Sequence, residues 1–451
     1  MRLAVRRVHG TSRSTGSAIG RTLAGSILLA VLAAAVLMVG CTVAPAGEPR
    51  PGAAPSKDGG PSTNSPAALD VPPARAAPTP AKGSGGSKGP VVAAYYVPYD
   101  PTSWASFAAH ASELDYVVAQ WVTVDACGGI GSRDDRTLIA LAASRGVQVI
   151  PSLLTSSGWL NHRLLTDPAT RVHYLDEIVG YVMEMGYPGF DLDMEGIDAE
   201  DRDAFSGFVA QLAEALHRQG RMLTLAIPAK ASDVRTGWAG PYDYAALGRH
   251  ADRILLMTYD YSWSTGPPGS IAPQDWVDRV AAYATAQIPR EKLLLGVAFY
   301  GYDWNRTVGG RARALLYPQA VELARQHGVK IATDAESRSA TFGYTARAGE
   351  VVPPPPAVPP VQHDIVVRNP APCGAQLPQP SPTPTPTPGR APTPVPLPSV
   401  QEHVVWLEDA TSVAAKLEIA ARRGLGGIGA WRLGQEDPRV WAHLAGFRSG
   451  K

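Results

Sequence analysis

The chain has 451 residues, of which 45% are hydrophobic, and its formal net charge at pH 7 is +1. This length is enough for one large domain or two ordinary ones, with a sizeable core. Because the charges balance and no basic run is interleaved with aromatic residues after residue 21, the composition argues against nucleic-acid binding.

The first 41 residues have the pattern of an export signal. Five arginines occur within the first 21 residues, an uncharged apolar run extends from Leu23 to Val39, and Gly40 and Cys41 follow it. The run is short for a membrane span and suits a signal core. Its end is similar to a bacterial lipoprotein cleavage box, which implies lipidation of Cys41 and a membrane anchor. Ordinary secretion and an uncleaved anchor are the alternatives, and all three predict a location outside the cytoplasm.

Two stretches have a composition that cannot form a core. Residues 42–90 contain one Leu, no aromatic residue and mainly Pro, Ala, Gly and Ser, so we expect a disordered linker. Residues 351–400 contain 18 of the 42 prolines, which is typical of an extended, polyproline-like insert. The predicted globular domain therefore covers residues 91–451, with the insert inside it.

The rest of the sequence alternates strand and helix signals. The clearest helix has an apolar stripe that includes Phe205 and Leu216, and it ends at Gly220. Another helix is predicted from a cap at Thr411 or Ser412 to Gly424. The eight predicted strands cover residues 91–97, 116–122, 147–154, 190–195, 222–227, 254–259, 293–300 and 427–433.

Eight alternating pairs predict an α/β fold, a (β/α)₈ TIM barrel, with an open doubly wound sheet as the alternative. In the barrel, the Pro-rich insert falls between strand seven and helix seven, on the C-terminal face where such barrels have their active sites. Cys127 and Cys373 could pair in an oxidising compartment or stay free. Pairing would tie the insert to the loop after strand two. No Cys or His spacing is typical of a zinc site, so we predict no metal and no cofactor.

Three acidic residues alternate with apolar ones in predicted strand four. Asp191, Asp193 and Glu195 project from one face of an extended strand, whereas the residues between them project from the other. In a barrel this places the carboxylates along the lumen, with Glu195 outermost. Carboxylates this close resist joint ionisation, so Glu195 is a candidate general acid. An acid at the mouth is what glycosidic cleavage requires.

These residues resemble the strand-four motif of glycoside hydrolase family 18, Asp-Gly-x-Asp-x-Asp-x-Glu. Residues 188–195 match it except that Pro replaces the first Asp and Met replaces an aromatic residue. Residues 256–260, 294–304 and 429–431 also resemble the family, in particular its chitinase-like, spore-cortex-lytic branch. The resemblance extends over most of the predicted domain.

The resemblance implies a substrate-assisted mechanism, in which the N-acetyl oxygen of the sugar attacks the anomeric carbon. It implies that Glu195 protonates the leaving oxygen, that Asp193 orients the acetamide, and that Asp191 holds Asp193 through a shared proton. Tyr259 would hydrogen-bond the acetamide oxygen, and Trp431 would form the apolar floor under the reacting ring. The residues expected to line the groove are Tyr96, Asp260 and Tyr300.

The sequence therefore predicts an exported hydrolase of β-1,4-linked N-acetylhexosamine polymers, acting with retention of configuration. We expect chitin-like or peptidoglycan-like glycans as substrates, a membrane contact through the N-terminal segment, and a monomer. A non-catalytic, lectin-like barrel is the main alternative. A metal-dependent barrel with Asp191, Asp193 and Glu195 as ligands is a weaker one, because carboxylates two residues apart on a strand diverge.

Overall fold

A computed structural model describes residues 89–374 and 398–450. The predicted export segment, Cys41, almost all of the predicted linker and the Ser/Thr-Pro run of the insert lie outside these residues. The described strands are β1 (Val91–Tyr96), β2 (Tyr116–Val124), β3 (Ile130–Asp135), β4 (Gln148–Thr155), β5 (Gly189–Met194), β6 (Met222–Pro228), β7 (Arg253–Met257), β8 (Leu293–Ala298), β9 (Tyr300–Asn305), β10 (Arg313–Leu316), β11 (Ala332–Thr333), β12 (Ala340–Arg347), β13 (Ile365–Arg368), β14 (Val400–Leu407) and β15 (Gly427–Trp431).

The helices lie mostly between the strands. None of those in the described part of the chain combines the length and apolar composition needed to cross a membrane. They are α1 (Pro101–His110), α2 (Arg136–Arg145), α3 (Gly158–Thr166), α4 (Pro168–Met185), α5 (Arg202–Arg218), α6 (Tyr244–His250), α7 (Gln274–Thr285), α8 (Tyr317–Gln326), α9 (Ala410–Arg423) and α10 (Val440–Arg448).

Eight parallel strands form a closed barrel. Their order is β1, β15, β8, β7, β6, β5, β4, β2, and β2 pairs with β1 to complete the ring. The predicted (β/α)₈ barrel is confirmed, and the open sheet is wrong. In this order β5 lies opposite β15, with four steps between them in either direction.

The barrel has two separate apolar layers. Side chains on the outer face of the strands pack against the helices in the main core, which includes Phe190, Leu192 and Met194 of β5. A smaller cluster fills the lumen and includes Tyr95 and Leu255. Full burial of one such large side chain contributes about 1.5–3 kcal/mol. The outer layer contains many more buried side chains than the lumen, so it is the main source of stability.

Local sequence signals set the ends of two predicted helices. Helix α5 buries its apolar stripe and is followed by Gly220, whose φ of 66° fits a glycine stop. Helix α9 ends at Gly424, also left-handed, as expected. Its predicted cap at Thr411 or Ser412 is wrong, because the Asp409 carboxylate accepts from the Ser412 amide and the Ser412 hydroxyl accepts from the Asp409 amide. Ser412 is therefore the third helical residue of a capping box.

An antiparallel sheet that the sequence did not predict lies between strand seven, β8, and helix seven, α9. Its five strands are ordered β10, β9, β14, β12, β11, with α8 packed against them. Strand seven was predicted to reach Tyr300, but it ends at Ala298, and Tyr300 begins β9. A buried ion pair joins the sheet to the barrel, with the Lys416 ammonium 2.7 Å from the Glu408 carboxylate.

Part of the Pro-rich insert is bound to the loop after strand two. Strand β13 pairs antiparallel with β3, and Cys373 forms a disulfide with Cys127, with a Cα–Cα distance of 5.9 Å. The pairing that the sequence left open is therefore present. The insert follows β12 of the antiparallel sheet, and the disulfide links it covalently to the turn between β2 and β3.

Candidate active site

Strand β5 divides its side chains between lumen and core, as the alternating pattern predicts. Asp191 and Asp193 are buried, and the residues between and beside them contact the helices. Glu195 follows the last residue of the strand, at the C-terminal mouth of the barrel. One acidic row therefore rises from the lumen to the mouth.

Asp191 is held as an acceptor at the bottom of this row. Its carboxylate accepts from the hydroxyls of Tyr95 at 3.1 Å, Ser152 at 2.8 Å and Thr224 at 2.5 Å. Burial raises the pKa of Asp191, and the three hydroxyl donors oppose that rise. Donors occupy both oxygens of Asp191, which offsets part of the cost of burying its charge.

Asp193 is turned toward Glu195 and shares a hydrogen bond with it. Burial, the charges of Glu195 and Asp191, and this bond raise the pKa of Asp193 well above its usual value. Its Oδ1 atom is buried and has no hydrogen-bond partner in the described part of the chain. A buried acceptor without a donor is costly, so this oxygen is a position where a substrate N–H would bind.

Glu195 has the electrostatics of a proton donor. Burial and the negative charge of Asp260 raise its pKa to about 7, and the hydrogen bond from Asp193 limits the rise. Its backbone is fixed on both sides, since its N–H donates to the Thr155 carbonyl at 2.7 Å and its carbonyl accepts from Asn161 Nδ2 at 2.5 Å. A carboxyl group that titrates near neutral pH can hold a proton and release it.

Asp260 stands at the mouth on the loop after β7. Its φ of 55° is left-handed, a conformation that Asp tolerates better than most residues. The hydroxyls of Tyr300 and Tyr302 donate to its carboxylate, the latter at 3.1 Å, while burial raises its pKa. The predicted residue Tyr300 therefore acts on the site through Asp260, from the antiparallel sheet.

Two aromatic residues complete the predicted cluster. Burial is the main cause that raises the pKa of Tyr259 well above its ordinary value, and the negative charges of Asp193 and Glu195 add to it. The phenol of Tyr259 is therefore close enough to these two carboxylates to interact with them. Trp431 ends β15, and its ring centroid is 5.4 Å from that of Tyr95. The indole therefore covers the lumen on the side opposite β5.

Tyr96 does not lie where the sequence analysis placed it. It is buried in the outer core beside Trp121, with its ring centroid 6.4 Å from the indole. Its neighbour Tyr95 faces the lumen and donates to Asp191. Adjacent residues of a strand face opposite ways, so the prediction was one residue out of register.

One cluster has the residue types of a metal site. Asp125, Cys127 and Cys373 bring ligand atoms within 4.8 Å of one another, among the described residues. The two sulfurs are bonded to each other, and the thiolate form that binds metals is therefore not available. The β5 carboxylates are likewise committed to hydrogen bonds, Asp191 to three hydroxyls and Asp193 to Glu195.

The exposed indole of Trp238 lies beside the turn after Glu195, and helix α3, which carries the exposed Trp159, approaches the same turn; neither tryptophan was predicted as a site residue. Trp238, on the loop after β6, is 37% exposed, and Trp159, on α3, is 39% exposed. A methyl group placed on Gly196 would lie 3.8 Å from Trp238 Cζ3. A methyl group on Gly158 would lie 3.2 Å from the Gly196 carbonyl oxygen, which brings α3 close as well. Only the fold identifies these two, because tryptophans outside any motif carry no local signal.

The chain is similar in sequence to known proteins. The sequence model of the family described as Glycosyl hydrolases family 18 matches residues 91–436. The putative sporulation-specific glycosylase YdhD of Bacillus subtilis is 30% identical over 285 residues, which cover 62% of this chain and 56% of that protein. The chain therefore spans little more than half the length of this relative.

Solved structures share the fold. The spore cortex-lytic enzyme SleL of Bacillus megaterium superposes with a TM-score of 0.63 and 22% identity, covering 80% of this chain and 74% of that chain. A chitinase from Chromobacterium violaceum also has a TM-score of 0.63, with 25% identity, 80% of this chain and 98% of that chain.

Proposed function

The chain belongs to glycosyl hydrolase family 18, and from this premise we propose that it cleaves β-1,4-linked N-acetylhexosamine polymers outside the cytoplasm. Family membership makes it a glycoside hydrolase, and the similar spore cortex-lytic and chitinase proteins support an extracytoplasmic polymer as substrate. The lectin-like alternative is not favoured, because the candidate acid and its Asp partner are both present and adjacent.

The state of Asp193 is the observation that carries this proposal. Its carboxyl group interacts with that of Glu195, and no N–H or hydroxyl group of the described residues donates to its buried Oδ1. An acetamide N–H of the substrate would satisfy that oxygen and would turn the acetamide oxygen toward the anomeric carbon. A hydroxyl at the same sugar position would lack this geometry, so the site favours N-acetylated sugars.

The proposed reaction uses the substrate as its own nucleophile. Glu195 donates its proton to the glycosidic oxygen, the bond from that oxygen to the anomeric carbon breaks, and the acetamide oxygen bonds to the same carbon. Asp193 stabilises the resulting oxazolinium ion. Water then attacks the anomeric carbon and gives a proton to Glu195, and the bond between the acetamide oxygen and that carbon breaks, which opens the oxazolinium ring. The two displacements together retain the anomeric configuration.

The neighbouring residues would tune these steps. The Tyr259 phenol would donate to the acetamide oxygen, and the Trp431 indole would stack on the apolar face of the reacting ring. The negative charge of Asp191, which accepts from three hydroxyl donors, is one of the causes that raise the pKa of Asp193. Asp260 keeps the pKa of Glu195 high enough for the acid to be protonated near neutral pH.

We further propose that the N-terminal segment exports the protein and that Cys41 is lipidated. The segment lies outside the described residues, so the support for this proposal is the sequence pattern alone. Replacement of Cys41 by Ser, followed by fractionation of cells and labelling with a lipid precursor, would show whether the label and the membrane association are lost together.

The test of the proposed function is product analysis. The mature protein is incubated with chitooligosaccharides and with peptidoglycan, and products are identified by mass spectrometry and by NMR of the anomeric proton. We expect β-configured products that carry a reducing N-acetylhexosamine, and a loss of turnover of roughly 10²-fold or more in Glu195→Gln. A wild-type protein that leaves every N-acetylated polymer intact would refute the proposal.

A further inference from the structure

A group of basic residues lies at the base of the barrel, the end where the parallel strands begin. The proposed active site is at the other end, where these strands finish. Two members of the group end helix α9, two come directly before β8, and one begins β7. We call this group the basic patch, and its members are Arg253, Arg290, Lys292, Arg422 and Arg423.

The short turn before β15 brings three chain segments of the patch together. The Gly426 amide in this turn donates to the Arg290 carbonyl at 2.8 Å. A methyl group placed on Gly424 would lie 3.6 Å from Arg290 Nη1, so this guanidinium is beside the residue that follows Arg423. A methyl group on Gly426 would lie 3.1 Å from Arg253 Nη1. The guanidinium groups therefore surround a single turn.

Carboxylates compensate only part of the charge of the basic patch. The Asp278 carboxylate on α7 accepts from Arg422 Nη2 at 3.0 Å and from Arg423 Nε at 2.7 Å. Two guanidinium groups thus share one negative charge. The other acids next to the patch along the chain, Glu291 and Glu418, form no ion pair among the described residues. Three acids against five basic residues leave the patch with a net positive charge.

The helix dipole accounts for only some of these residues. Cations in the last turn of a helix are stabilised by its negative end, which explains Arg422 and Arg423. Arg253 is the first residue of a strand, and Arg290 comes before a strand, so neither lies at the end of an α-helix. An accumulation of cations beyond what the dipole favours indicates an anionic partner.

An open groove between the ends of α7 and α9 gives the patch a shape. Its volume is about 470 Å³, within the range of small-molecule sites. Two alanines and a threonine form its uncharged part, and its charged lining consists of Arg290, Arg422 and Arg423. Guanidinium groups bind phosphate oxygens through paired, charge-assisted hydrogen bonds. The groove therefore suits a phosphate ester.

The N-terminal segment joins the domain beside the patch. The Val91 amide, at the start of β1, donates to the Gly426 carbonyl at 2.8 Å, in the turn that the guanidinium groups surround. The proposed membrane anchor lies on the N-terminal side of Val91 in the chain. A domain tethered at this point can turn its basic patch to the membrane while the opposite end of the barrel, with the active site, faces away.

We propose that the basic patch binds the anionic phospholipid headgroups of the membrane to which the N-terminal segment attaches. The phosphate oxygens of the headgroups would accept from the guanidinium groups in and around the groove. The barrel would then stand with its base on the membrane and its active site open to the polymer. Headgroup binding needs no turnover, so this inference stands apart from the proposed hydrolase activity.

The test is co-sedimentation of the mature protein, residues 41–451, with vesicles. Cys41→Ser is included so that no attached lipid contributes. We expect binding to vesicles of equal parts phosphatidylglycerol and phosphatidylcholine, weaker binding as salt is raised, and almost none to phosphatidylcholine alone. Combining Arg290→Gln, Arg422→Gln and Arg423→Gln should lower the partition constant by about 10- to 100-fold. Lysine at the same three positions keeps the charge and should retain most of the binding.

The control variant combines Arg235→Gln, Arg313→Gln and Arg325→Gln, which remove three exposed arginines far along the chain from the patch. It should bind the vesicles as the wild type does, and thermal unfolding checks that both triple variants are folded. Equal binding by the wild type and the patch variant would overturn the inference, and so would equal losses in the patch and control variants. Binding to soluble polyglycerol phosphate without binding to the vesicles would replace the membrane by an anionic polymer as partner.

Discussion

Replacement of Asp260 by Asn should move the pH dependence of the enzyme to lower pH. The negative charge of Asp260 helps to raise the pKa of Glu195 to about 7, and Asn removes that charge. Asn also accepts hydrogen bonds from Tyr300 and Tyr302 and tolerates the left-handed backbone, so the local geometry should be retained.

The size of the shift follows from the Coulomb interaction that is lost. One pKa unit corresponds to about 1.4 kcal/mol, and at an effective dielectric constant of about 20 a like charge contributes that much at roughly 12 Å and more when it is closer. A fall on the order of one unit is therefore the expected scale for the pKa of Glu195. Burial remains and keeps the pKa above that of a free Glu side chain.

The assay is kcat/KM for a chitooligosaccharide as a function of pH, because this constant reports groups of the free enzyme. The proton donor must be protonated, so the wild-type value should fall as pH rises through about 7, and the variant should fall about one unit lower. A substrate with a leaving group that needs no proton, such as chitobiosyl fluoride, should show a much smaller difference. If the oligosaccharide limb stays in place or moves upward in Asp260→Asn, the electrostatic role of Asp260 is refuted.

Three further variants test the supporting structure. Asn161→Ala should lower kcat by about tenfold and leave KM almost unchanged, because the buried Glu195 carbonyl loses its donor; an unchanged kcat would contradict this. Tyr95→Phe should lower the free energy of unfolding in urea by about 1–3 kcal/mol, since a buried carboxylate loses a donor, and equal stability would argue against that bond. A Cys127→Ser, Cys373→Ser double variant should lose about 2–4 kcal/mol in the same measurement without reductant, whereas wild-type stability would show that the bond does not constrain the chain.

The sequence was sufficient for the features that have a local period. The two-residue alternation around Asp193 predicted which side chains line the lumen, and the structure places Asp191 and Asp193 there. The eight strands were likewise predicted close to their observed bounds, because each is a short apolar run between helix signals. In β1 the alternation does not show which of the two faces lines the lumen. For this reason Tyr96 was predicted to line the groove instead of its neighbour Tyr95.

The antiparallel sheet could not be predicted in the same way. Its strands β9 and β14 are about one hundred residues apart in the chain, and pairing between them leaves no local pattern. Residues 293–305 read as one apolar run followed by aromatics, although the backbone changes sheets at Phe299. The contacts of Trp238 with the turn after Glu195 also depend on three separate elements, so they emerge only in the folded chain.

The phenols of Tyr300 and Tyr302 have a practical consequence for protein engineering. Both belong to the sheet inserted after β8, yet they stabilise a charge on the loop after β7. A truncated version reduced to the eight strands and their helices would therefore leave Asp260 without its two donors. The smallest autonomous hydrolase from this chain should include the inserted sheet, and libraries that vary its length should be selected for activity as well as solubility.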